Sequence, residues 1–203
     1  MVPVEICMRE MITERDPRKV FIVHGRNTLA RDAIVLFLRA LKLDALDFDE
    51  VRNELRGSPF VGDVVRLGME RAQGIVVVFT PDEYACLHPT LVDTHDAVVE
   101  RERWQARPNV LLEAGMALGI DEHRTILVVL GDVSLASDLY GRHFVRLNNS
   151  VPARERLKYA LQGVGCIVGK ETPGWHDTRI AGDFDAAISS PALPEVSAKS
   201  PFR

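Results

Sequence analysis

The sequence lacks most features that would fix a function at once. Its 203 residues include three cysteines, Cys7, Cys86 and Cys166, and no CxxC pair. That excludes a zinc ribbon, argues against a disulfide framework and points to a reducing cytoplasm. Positive charge is not in excess: the net charge is −4, whereas a dedicated nucleic-acid binder is usually basic, so no nucleic-acid partner is expected. The longest purely apolar run, residues 33–38, is far too short to cross a bilayer. Residues 1–19 mix charges of both signs without an apolar centre, unlike a signal peptide. No G-x-G-x-x-G turn, P-loop or internal repeat occurs. What remains is an ordinary globular composition, 46% hydrophobic and 27% charged, enough for one domain with tails.

Strand-like and helix-like segments alternate. "KVFIVHG" (residues 19–25) is a β-branched run closed by glycine, the pattern of a strand buried on both faces. In residues 27–41, Leu29, Ala33, Ile34, Phe37, Leu38 and Leu41 form one helical stripe, with Asn27 as N-cap. Residues 43–48 are a second strand candidate, and the charged run at 49–57 reads as a loop. Ser58 and Pro59 open a second helix with Val61, Val64, Val65 and Ala72 on its apolar side and Gly68 on the same stripe. "GIVVVFTP" (74–81), "TILVVLG" (125–131) and "HFVRL" (143–147) are three more strands, and residues 152–163 form the last helix. The alternation predicts an α/β fold, a flavodoxin-like doubly wound parallel sheet of five strands in the order 2-1-3-4-5. The expected divisions are an N-terminal extension (1–18), the domain (19–169) and a loosely packed C-terminal tail (170–203).

In such sheets ligands bind beyond the strands' carboxyl ends, where strand order reverses. Here that is between "HGRN" (24–27) and "FTPDE" (79–83). A response regulator would need an aspartate where Thr80 stands. The helix that follows a long connection, "RPNVLLEAGMALG" (107–119), carries one carboxylate, Glu113, among apolar and small residues. Its plain interpretation is a first-turn acid favoured by the helix dipole. The functional one is a desolvated carboxylate facing the crevice about one turn into the helix, with Gly115 and Gly119 admitting a ligand or another backbone. His24 can equally be a simple strand-end residue, and Gly25 a backbone requirement. The connection holds His88, Asp93, His95 and Asp96, whose spacing matches no standard metal site, so no metal is expected. Residues 100–107 read as a solvated helical face or part of a lid. Trp104 offers either a stacking surface for a base or pyridine ring or a core residue.

Together "KVFIVHGRN…FLRAL", "GIVVVFTPDE" and "ARPNVLLEAGMALG" resemble the bacterial TIR-like domains first described as predicted nucleotide-binding proteins, which occur in cyclic-oligonucleotide and cyclic-pyrimidine anti-phage systems. The resemblance covers about Lys19 to Gly165. It implies an NAD+ glycohydrolase with Glu113 as the catalytic residue, NAD+ as substrate and no cofactor. It also implies a homo-oligomer, in which the charged loop at 49–58 completes a neighbour's site, and a cyclic-nucleotide sensor on the same or another chain. Where many members carry a Gly-Arg-Thr turn after the second strand, "RGSPF" stands here. The expected substrate-binding residues are His24, Gly25, Arg26, Arg56, Thr80, Asp82, Trp104 and Asn109, with Arg26 or Arg56 paired to the pyrophosphate. Rival expectations are a non-catalytic TIR-like adaptor, a nucleoside deoxyribosyltransferase-like N-glycosidic enzyme and a passive nucleotide sensor.

Overall fold

The computed structural model describes residues 15–46, 48–91, 102–170 and 172–188. The parallel sheet is built from β1 (Lys19–Val23), β2 (Asp44–Ala45), β3 (Gly74–Phe79), β6 (Thr125–Leu130) and β7 (Phe144–Leu147). Its order is β2-β1-β3-β6-β7, every pair parallel, which is the expected 2-1-3-4-5 once only the sheet's own strands are counted. A separate antiparallel hairpin, β4 (Glu83–Cys86) and β5 (Glu102–Gln105), lies within the connection that leaves β3.

Alternation along the strands divides the interior into two cores. Val20, Val76, Val78, Ile126 and Val128 face α1 (Thr28–Ala40) and α5 (Val151–Gly163). Phe21, Val23, Ile75, Val77 and Phe79 face α2 (Phe48–Glu54), α3 (Val61–Arg71) and α4 (Pro108–Asp121). All six residues of β3 are buried, as a strand covered on both faces requires. Each such aliphatic side chain contributes roughly 1.5–3 kcal/mol by leaving water. Gly68 packs against the Phe21 ring, where a methyl group would collide, so α3 does approach the sheet closely at this position.

Several local expectations are corrected. The buried stripe of α1 runs through Ala30, Ala33, Ile34, Phe37 and Leu38; Leu29, about 100° off that stripe, is 65% exposed. The charged run after β2 is helix α2 rather than loop: Val51 is fully buried, and Asp49 and Glu50 in the first turn with Arg52 in the last suit the helix dipole. Pro59 holds Ser58 away from helical geometry. The next helix therefore starts at Val61, with extended Phe60 as its N-cap and no side-chain cap bond. Val61 is 61% exposed. Residues 102–105 are strand, not a helical face, because Trp104 pairs with Tyr84 across the hairpin, ring centroids 5.3 Å apart.

The C-terminal segment also departs from the expected loose packing over residues 172–188. Phe184 of α6 (Phe184–Ile188) is fully buried against Phe37, ring centroids 5.9 Å apart. The fully buried Arg154 donates to the carbonyls of Ala181 at 2.9 Å and Gly182 at 2.5 Å.

Candidate active site

The exits of β1 and β3 meet at the sheet's carboxyl rim, and Asp82 binds them together. One of its oxygens accepts the backbone N–H of Arg26 at 2.8 Å; the other accepts the Thr80 hydroxyl at 2.7 Å. Its own N–H donates to the Gln105 carbonyl at 3.1 Å, which ties the hairpin to the same rim. A Cβ on Gly25 would collide with the Asp82 carboxylate. Asn27 caps α1 as expected, accepting from Ala30 N–H at 2.9 Å. His24 Nδ1–H donates to the Gly25 carbonyl at 2.9 Å. A carbonyl can only accept, so the proton sits on Nδ1 and Nε2 is left as an acceptor. Burial pushes the ring below its ordinary pKa and keeps it neutral.

Glu113 lies on α4 between the buried Val110, Ala114 and Ala117. The helix opens with Pro108 at its start, where the missing N–H costs nothing. Removal from water raises the Glu113 pKa above the ordinary carboxylate value, and the charge of Arg107 partly opposes the rise. Arg107 in turn donates to Glu83 at 3.2 Å, linking this helix start to the hairpin. The helix is less enclosed than its sequence suggests: Leu112 is 69% exposed, and Gly115 and Gly119 face open space. Among the described residues no second backbone packs against either glycine. Glu113 itself is half-buried because it turns toward a cleft.

That cleft has a volume of ≈ 540 Å³, within the range of ligand pockets. It is lined by residues 21–24 of β1 and its exit and by Glu113 of α4. α1 also lines it, through Arg31, Asp32, Val35 and Arg39, as do Phe48 of α2 and Val61 of α3. The cleft extends along the β1 edge because β2 pairs with β1 only as far as Val20 and Ala45.

Of the expected site residues, the structure brings Glu113 and His24 into this one cleft. Gly25, Thr80 and Asp82 form the braced rim beside it. Arg26, Arg56 and Asn109 are exposed and are not among the residues lining it. Trp104 packs on Tyr84 of the hairpin. Sequence reasoning missed Arg31, Val35 and Arg39, although their spacing of four was visible beside the buried stripe of α1. His88 shares a hydrogen bond with Thr90 at 2.8 Å, while Asp93, His95 and Asp96 lie outside the described residues. Among the described residues no group of three His, Cys, Asp or Glu side chains suits a metal ion, and no helix is long and apolar enough to cross a membrane.

A family model described as "CAP12/Pycsar effector protein, TIR domain" matches residues 19–149. The chain belongs to this TIR family. Its TIR match begins at the first residue of β1 and takes in the rim, the cleft and Glu113. The match ends before α5 and the C-terminal segment, which nonetheless pack into one of the TIR domain's two cores. The chain is also similar to "Uncharacterized protein YuaY" of Escherichia coli (strain K12), at 26% identity over 156 residues. That alignment covers 76% of this chain and 48% of the relative, so the chain spans about half the length of that protein.

Proposed function

We propose that this TIR domain hydrolyses the nicotinamide–ribose bond of NAD+, with Glu113 as the catalytic residue. One observation carries the reading: a half-buried carboxylate with raised pKa, with no second acid among the described residues lining the cleft except Asp32, which is paired to Arg31 at 2.7 Å. Ordinary glycosidases need an acid for the leaving group and a base or nucleophile opposite. Nicotinamide bound through a pyridinium nitrogen needs neither. As the C1′–N bond breaks, its electron pair returns to the ring and the leaving group departs neutral. Positive charge grows on the ribose. Fixed negative charge beside that sugar stabilises the oxocarbenium-like state, and more strongly where water is partly excluded. Water then adds to C1′ and its surplus proton passes to the solvent. Neutral His24, with Nε2 free to accept, suits a ribose hydroxyl or the carboxamide N–H.

The biological role that fits is an anti-phage effector that depletes cytoplasmic NAD+ once assembled into a homo-oligomer. The trigger in this reading is a cyclic-nucleotide sensor, carried on a longer chain or on another protein. The test is to incubate concentrated protein with NAD+ and measure free nicotinamide, comparing wild type with Glu113→Gln and Glu113→Ala. Release by wild type and loss of at least about a hundredfold in both variants, with unchanged thermal unfolding cooperativity, is the expected result. Turnover of free nucleosides but not NAD+ points to a deoxyribosyltransferase-like enzyme. No turnover under crowding, where assembly is favoured, points to an adaptor.

A further inference from the structure

We propose that Arg31 and Arg39 form a diphosphate subsite in this cleft, which makes its ligand a diphosphate-bridged dinucleotide rather than a nucleoside. The inference deepens the NAD+ reading of the site and rests on it. Arg31, Val35 and Arg39 fall at i, i+4 and i+8 of α1, so all three point along one line of the helix, and all three line the cleft that holds Glu113 and His24. Eight residues of helix separate the two guanidinium-bearing positions by about 12 Å. Val35 lies between them as an apolar step.

Among the described residues neither guanidinium holds two elements of the fold together. Among the described residues Arg31 bonds only its sequence neighbour Asp32, at 2.9 and 2.7 Å, in a solvent-facing pair of the kind that contributes little. Arg39 has no hydrogen bond or ion pair from its side chain among the described residues. The arginines expected to meet the pyrophosphate, Arg26 and Arg56, are not among those lining the cleft. Planar guanidinium groups match phosphate oxygens bidentately, which makes this pair the natural anion contact of the cavity.

Charge also has a direction here. Glu113 provides negative charge from α4, which covers the opposite face of the sheet from α1, and His24 is uncharged. The α1 wall carries two cations against the single carboxylate of Asp32. A ligand with a cationic pyridinium–ribose end and an anionic diphosphate fits this polarity; a nucleoside has nothing for the α1 wall. When phosphate arrives, Arg31 exchanges Asp32 for it, and Asp32 turns to water.

The experiment measures equilibrium binding in the Glu113→Gln background, which removes turnover. The probes are NAD+, ADP-ribose and nicotinamide riboside, tested against the background protein, Arg31→Gln, Arg39→Gln and the double variant. Both arginines are at the surface, so all variants are expected to fold, and thermal unfolding checks this. Each single variant should weaken NAD+ and ADP-ribose by roughly tenfold, the double variant by more, and riboside binding should not change. Arg31→Lys and Arg39→Lys should restore part of the affinity, because a point charge replaces a fork. Unchanged dinucleotide affinity in the double variant, an equal loss for the riboside, or no binding of either diphosphate by the background protein overturns the subsite. The enzyme reading fails separately. Arginine-dependent ADP-ribose binding with no nicotinamide release from wild type would remove only the catalysis, and release with an unchanged KM in the double variant would remove only the subsite.

Discussion

The Asp82 carboxylate stands where a side chain on residue 25 would begin. The same carboxylate ties Arg26 N–H to the Thr80 hydroxyl and so holds the β1 and β3 exits at a fixed separation. Gly25→Ala should therefore act by evicting Asp82 rather than by straining its own backbone. The expected loss is about 1–3 kcal/mol, the cost of leaving such polar groups unpaired. Asp82→Ala should lose a similar amount while opening space for the new methyl group. The two substitutions share one mechanism, so the double variant should be little worse than Asp82→Ala alone. Urea denaturation of all four proteins measures the coupling. Additive losses would show that the two residues act independently.

Glu113 makes two opposite pH predictions. In the proposed reaction the ionised form works, and desolvation raises its pKa while Arg107 lowers it. The acid limb of nicotinamide release should lie above the ordinary carboxylate range, and Arg107→Gln should move it further up. For stability the sign reverses. A carboxyl whose pKa is higher folded than unfolded favours the fold fully below its unfolded pKa, and that contribution is lost as pH rises through the folded pKa. Glu113→Gln cannot ionise and keeps it. The variant should melt at the same temperature as wild type in acid and at a higher one near neutrality, with the gap opening through the raised pKa. Thermal denaturation across pH 3–8 checks this. The more stable variant would then be the inactive one, as expected of a residue held for function at a cost to the fold.

How much the sequence disclosed depended on how local the signal was. β3 and β6 are unbroken apolar runs, and the parallel order follows from their alternation with amphipathic helices. Glu113 stood out because a carboxylate among small apolar residues is locally costly, and the match between that residue and the cleft needed only the position of α4. The cleft's α1 side was less visible. Arg31 and Arg39 look like the solvent face of α1, and only the brevity of β2, paired to β1 through Asp44 and Ala45 alone, leaves an opening for them to line. Helix α2 was obscured because its packing rests on the single buried Val51 in a charged run. The C-terminal segment was misjudged for a related reason. Its composition is polar, and its attachment depends on a buried arginine 20 or more residues upstream, which periodicity does not reveal.

That arginine is the last test. Arg154 is 0% exposed and lies 4.5 Å from the Phe184 ring centroid and 5.8 Å from that of Phe37. Besides Ala181 and Gly182, it donates to Asn149 Oδ1 at 3.1 Å, and the same oxygen accepts the Phe184 N–H at 2.8 Å. Arg154→Leu keeps most of the bulk but leaves the Ala181 and Gly182 carbonyls without their donor. At roughly 1–3 kcal/mol for each unpaired group, the melting temperature should fall by about 4–24 °C. Arg179→Ala is the control: its bond to Asp177 at 2.8 Å pushes that carboxyl down to about 2, yet the pair is in water and its loss should leave melting unchanged. The effect should also reach the cleft. The Asn27 side-chain amide donates to the Ala187 carbonyl at 2.8 Å, and Asn27 caps the helix that carries Arg31 and Arg39. Deleting residues 172–203 should therefore raise the KM for NAD+ as well as lower stability. A truncated protein with wild-type melting would show that the segment lies on the domain without holding it.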